Sequence, residues 1–147
     1  MEWGFVIGLV GLVLCVFLCG IGSAVGLTKT GQTASGVLSE DPKKFSKMLV
    51  LVVLPATQGI YGFVFAIVAS SSCTMGISIA TGLNIFLASL PLTVTGLLTP
   101  ILQGKTSASC IQAVAKKDTL SGKLILFPAM IETYAILSLV VSLLLLP

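Results

Sequence analysis

The chain has 147 residues, 56% of them hydrophobic and 9% charged, with a net charge of +3 and a mean hydropathy of +1.13. A soluble domain of this size leaves too much surface in water to hide so many apolar side chains, and a disordered chain is poor in them. The composition therefore describes an integral membrane protein, and the modest positive charge gives no reason to expect a nucleic-acid partner.

Four apolar runs follow in order, roughly Trp3–Leu27, Met48–Ala69, Gly76–Leu102 and Leu124–Leu146. Each is long enough to cross a hydrocarbon core of about 30 Å as a helix. A strand of a membrane barrel would be about half as long and would alternate. The first run is read as a retained helix and not a cleaved signal peptide, because its only flanking charge is Glu2. It is rich in glycine, with Gly4 and Gly8, then Gly22 and Gly26, at the four-residue spacing that lets membrane helices approach closely. Cys15 and Cys19 share a face of this helix, but the chain has no histidine to complete a metal site. With Cys73 and Cys110 they read as small, soft packing residues.

All eight basic residues are lysines, and they fall in two segments: Lys29, Lys43, Lys44 and Lys47, then Lys105, Lys116, Lys117 and Lys123. The connection "SSSCTMG" between the second and third runs carries none. The positive-inside rule puts both lysine-bearing hairpin tips in the cytoplasm and both termini outside. "GKTS" at Gly104–Ser107 imitates the end of a phosphate-binding loop, but Thr99 stands where that motif needs glycine. No ATP site is expected in this chain.

A shift of 73 positions aligns the two halves. Gly31 meets Gly104, Thr33 meets Thr106, Lys43-Lys44 meets Lys116-Lys117, Pro55-Ala56 meets Pro128-Ala129, and Tyr61 meets Tyr134. The expected fold is an all-α membrane protein made of a duplicated antiparallel helical hairpin, residues 1–73 and 74–147. Both copies run in the same direction, unlike the inverted repeats of many transporters.

Glu132 is the one charged side chain inside an apolar run, and Gly59 holds its place in the first half. An ionised carboxylate at mid-bilayer costs about 2.5–3.5 kcal/mol on insertion scales. Such an acid is either a hydrogen-bonded structural group or a carrier of an ion or proton, and the second reading explains why the cost is accepted. In "LPATQGIYGF", Thr57 and Tyr61 share a helix face, Gln58 lies about 100° round, and Gly59 leaves room. Pro55 and Pro128 each remove an in-helix hydrogen bond and free backbone acceptors nearby. The midpoint between Gln103 and Glu132 falls at Lys117-Asp118, so the two sit at similar depth if both helices run on to that tip. One carboxylate, one hydroxyl, two amide oxygens and a backbone carbonyl suit a hard cation. A single negative charge suits a monovalent one, and the surplus of oxygens favours Na⁺ over H⁺.

The duplicated hairpin, "LPATQGIYGF" in the second run and "FPAMIETYAI" in the fourth resemble the rotor-ring proteolipid, the K or c subunit, of V-type ATPases. The similarity is greatest to the bacterial Na⁺-translocating form and covers essentially the whole chain. It implies that identical copies form a membrane ring in lipid, turned by a soluble ATP-hydrolysing head through a central shaft that meets the cytoplasmic hairpin tips. It also implies that Na⁺ is held by Glu132, Thr57, Gln58, Gln103 and the Leu54 carbonyl, with Tyr61 donating to Glu132 to lock the site. A stator subunit would supply the arginine that displaces the ion. The alternatives are a proton-carrying ring of the same kind, a small four-helix drug antiporter, and a purely structural pore. The antiporter is disfavoured because it would carry its acid in the first helix.

Overall fold

The computed structural model describes residues 2–147; Met1, with which the first expected hairpin begins, lies outside the described residues. The described residues are helical throughout, with short turns and no strand. Helix α1 (Trp3–Glu40) turns through Asp41 and a 3₁₀ turn, Pro42–Lys44, into α2 (Phe45–Val53). A second 3₁₀ turn, Leu54–Ala56, leads into α3 (Thr57–Ser70). The second half repeats the plan: α4 (Ile79–Lys116), a 3₁₀ turn at Asp118–Leu120, α5 (Ser121–Leu124) and α6 (Leu126–Leu144). Four helical stretches are thus long and apolar enough to cross a membrane.

At about 1.5 Å per residue, the 38 residues of α1 and of α4 exceed the full bilayer of about 40–45 Å. Both helices run past their apolar segments to the lysine-bearing turns. The stretch "GKTSASCIQAVA" is therefore helical, as facing Gln103 towards Glu132 requires. Lys44 donates to the Ala115 carbonyl near the end of α4, and Lys47 pairs with Asp118, tying the two tips together.

The turns also correct the sequence repeat. Trp3 and Ile79 begin α1 and α4, and Glu40 and Lys116 end them, so the inner helices correspond at a shift of 76, not 73. Lys43-Lys44 lies within its 3₁₀ turn, whereas Lys116 ends α4 and Lys117 caps it, so the aligned lysine pairs are not equivalent in place. Three fewer residues separate the turn from the proline in the second half, which restores the shift of 73 at Pro55 and Pro128.

The long helices α1 and α4 lie side by side, their backbones in contact through glycine. A Cβ on Gly82 would fall 1.9 Å from the Gly4 carbonyl oxygen, and one on Gly104 would fall 2.6 Å from the Gly26 Cα. Phe65, Ile85 and Leu92 fill a core towards the chain ends, and Met48, Leu51 and Ile111 fill another towards the tips. Large apolar side chains such as Phe17, Phe63 and Leu137 point outward. That is the expected surface where the solvent is lipid and small residues take the helix contacts.

Candidate ion-binding site

Most hydroxyls in the spans hydrogen-bond within their own helix. Thr93, Thr95, Thr99 and Ser138 each donate to the carbonyl four residues back, the ordinary way a membrane helix satisfies such a group. Thr57 also has a partner in its own helix, the Leu54 carbonyl at 2.9 Å, but its Oγ1 lies 2.5 Å from Glu132 Oε1 on α6.

Glu132 is buried, 8% exposed, and four side chains converge on it. On Oε1 sit the Thr57 hydroxyl and the Tyr61 hydroxyl, each at 2.5 Å. On Oε2 sit the amide nitrogens of Gln103 at 2.7 Å and Gln58 at 3.0 Å. The two glutamines are themselves joined, Gln58 Nε2 donating to Gln103 Oε1 at 2.8 Å, and neither has any exposed surface. Tyr61, Thr57 and Gln58 come from α3, Gln103 from α4 and Glu132 from α6, so the site bridges the seam between the halves.

The prolines shape this seam. Pro128 has no N–H for the Leu124 carbonyl, and the Cys110 thiol lies 3.6 Å from that oxygen. Gln103 Nε2 reaches the Pro128 carbonyl at 3.0 Å, which holds the amide in position under Glu132. Around Pro55 the helix tightens into its 3₁₀ turn, and the Leu54 carbonyl accepts from both the backbone and the side chain of Thr57.

All six residues singled out in the sequence, Leu54, Thr57, Gln58, Tyr61, Gln103 and Glu132, therefore lie together. Two further groups were not foreseen. The Pro128 carbonyl belongs to the site, and the only signal for it was the freed backbone near a proline. The Ser23 hydroxyl accepts from the Gly59 amide at 2.8 Å where the first half lacks an acid, and nothing in the sequence marked it.

One polar atom in the cage has no partner: Gln58 Oε1, fully buried. An unpaired carbonyl oxygen in an apolar interior costs about 1–3 kcal/mol. Flipping the amide would turn that oxygen onto the carboxylate and remove the donors to Glu132 and Gln103. With the carboxylate, the Thr57 and Gln103 oxygens and the Leu54 carbonyl, it makes a set able to surround a small hard cation.

Fold and site together define a multi-pass membrane protein with one buried, oxygen-ringed carboxylate for two helical hairpins. The chain belongs to the ATP synthase C-subunit family, whose profile matches residues 10–69 and 75–145. It is 44% identical to the V-type sodium ATPase subunit K of Enterococcus hirae, over 97% of this chain and 91% of that one. It is 36% identical to the A-type ATP synthase subunit K of Methanocaldococcus jannaschii, over 96% of this chain and 62% of that one. It is 24% identical to the 16 kDa proteolipid of the V-type proton ATPase of Rattus norvegicus, over 98% of this chain and 93% of that one.

Proposed function

We propose that this chain is the ion-carrying subunit of a membrane rotor ring, and that its cargo is Na⁺. Glu132 supplies the charge; Thr57, Gln58, Gln103 and the Leu54 carbonyl supply the remaining oxygens; Tyr61 holds the carboxylate in place. The observation that carries the reading is Gln58 Oε1, a buried acceptor with no donor, on an amide whose nitrogen lies 3.0 Å from the carboxylate. With the amide turned, that oxygen would join the Thr57, Gln103 and Leu54 oxygens around a cation, a larger set of ligands than a proton needs. The similarity to a sodium ATPase subunit supports the same choice.

The physics of transport follows from the charge. With Na⁺ in place the site is neutral, and a neutral group passes through lipid far more cheaply than a carboxylate. A cationic side chain that offers Glu132 another partner would release the ion. This chain contains no arginine, so a stator subunit would supply it. Work comes from ATP hydrolysis in a separate soluble head, through a shaft meeting the hairpin tips. The two lysine-bearing tips would lie in the cytoplasm and both termini outside. Residues 1–73 and 74–147 act as two hairpin units with one acid between them.

A proton-carrying ring is the second reading, and one contact favours it. The Thr57 hydroxyl has a single proton and two oxygen neighbours, Leu54 O and Glu132 Oε1. A protonated Glu132 could donate to Thr57 while Thr57 donates to Leu54. Carbodiimide labelling of Glu132, which attacks the protonated acid, separates the two. At fixed pH, added Na⁺ should suppress labelling; labelling unchanged by Na⁺ would leave the proton reading standing.

A further inference from the structure

We infer that Ser23 and Thr30, on α1, are positioning residues for the ion site. They hold the proline turn between α2 and α3 at both ends, and so fix where Leu54, Thr57 and Gln58 present their oxygens. The inference rests on the ion-carrying reading above and adds two residues outside the set that converges on Glu132.

The turn is where the helix is weakest. Pro55 has no N–H for the Leu51 carbonyl, and the Thr57 N–H reaches back three residues, to the Leu54 carbonyl. A change of spacing in mid-span is a natural hinge, and this one carries Leu54, Thr57 and Gln58, three of the five residues proposed to hold the ion. Two side chains of α1 reach across to it. Thr30, fully buried, donates to the Val52 carbonyl at 2.9 Å, a shorter contact than the 3.1 Å to the Leu27 carbonyl of its own helix. Ser23, also buried, accepts from the Gly59 N–H at 2.8 Å. Between them Gly26 backs directly onto the turn, where an added Cβ would fall 2.7 Å from Pro55 Cβ.

Ser23, Gly26 and Thr30 fall at i, i+3 and i+7, one face of α1. By contrast Thr28, Thr33 and Ser35 on the same helix each donate to the carbonyl four residues back. The two hydroxyls that cross bracket the ligands in the chain: Val52 precedes Leu54, and Gly59 follows Gln58. One tie takes a backbone acceptor and the other a backbone donor, so each satisfies a main-chain group on its own side of the bend. Loss of either tie frees that end of the turn from α1, and the Leu54 carbonyl and Thr57 hydroxyl move with the backbone that bears them. An ion held by several oxygens at once is sensitive to such a shift, because the ligands must converge on one point.

The test measures the Na⁺ concentration that half-protects Glu132 from carbodiimide in Ser23→Ala and Thr30→Val. Each should raise it about tenfold, the low end of what the outer partners of metal ligands cost; either variant suffices if the other fails to fold. Thr30→Ser keeps the hydroxyl and should match the native protein, as should Thr33→Val, whose hydroxyl serves its own helix. The thermal midpoint, with and without a fixed concentration of Na⁺, separates positioning from packing. Weaker binding shrinks the rise that Na⁺ gives, and that shrinkage is expected in Ser23→Ala and Thr30→Val. A midpoint lowered equally in both conditions, with the half-protecting concentration unmoved, would overturn the proposal and leave the ion site intact. Absence of Na⁺ protection in the native protein would remove the Na⁺ reading and this proposal together.

Discussion

Tyr61 and Glu132 stand 71 positions apart and meet oxygen to oxygen at 2.5 Å across the seam between the halves. The phenol is one of two hydroxyls on Oε1, so it orients the carboxylate without being able to surround an ion by itself. Removing a donor to a charged acceptor costs about 1.5–3 kcal/mol when the group is left unpaired. Thr57 still serves the same oxygen in a Tyr61→Phe variant, so the loss should fall at or below the lower end. The Na⁺ concentration that half-protects Glu132 from carbodiimide should rise about five- to tenfold, with ring assembly unchanged. Tyr134→Phe, with no carboxylate in reach of its hydroxyl, should leave the curve where it was.

Glu132→Gln tests the charge directly. The amide keeps the shape of the acid and retains one oxygen for the Gln58 and Gln103 donors, so packing around it should hold. It has no negative charge to offer a cation. Na⁺ uptake by vesicles carrying the whole ATPase should fall below detection, while the ring keeps its native mass. Uptake at the native rate would place the ion elsewhere.

Thr57→Val separates the two candidate cargoes. Valine matches threonine in shape but lacks the hydroxyl, so one cation ligand is lost and the Glu132–Thr57–Leu54 chain of oxygens is broken. For a Na⁺ carrier the half-protecting concentration should rise by about tenfold or more, taking roughly 1.5 kcal/mol for one lost polar partner of a charge. An unchanged Na⁺ requirement would mean that Thr57 is not a ligand.

The site was legible because polar residues are so few. Glu132 was conspicuous in "FPAMIETYAI", and Gln58 and Gln103 were amides that lipid alone would not favour. Their depth followed from the position of the turn, which Lys117-Asp118 marked. The hairpin register was legible only in part. Lys43-Lys44 and Lys116-Lys117 align at the same shift as the prolines, yet a turn is set by where the helix caps, and the caps at Asp41 and Lys117 are 76 apart. Side-chain identity can recur by coincidence in a lysine-rich tip; backbone geometry cannot shift by three residues without changing which face is presented. Ser23 was illegible for a different reason, since a serine in a membrane helix usually bonds its own backbone.

The glycine contacts between α1 and α4 give the last prediction. At Gly104, an added Cβ would lie 2.6 Å from both the Cα and the carbonyl oxygen of Gly26. Those are backbone atoms of a long helix, so neither can swing aside as a side chain would, and the two helices must separate along their length. Gly36, on the same helix as Gly26 but away from the contact, has nothing within 4 Å of the same added atom. There alanine should remove backbone freedom from the unfolded chain and favour the helix by about 0.5–1 kcal/mol. Gly104→Val should therefore lower the thermal midpoint of the detergent-solubilised protein sharply, or prevent its accumulation, and Gly36→Ala should leave the midpoint level or raise it. Equal effects from the two would mean that close approach of α1 and α4 is not what holds the halves together.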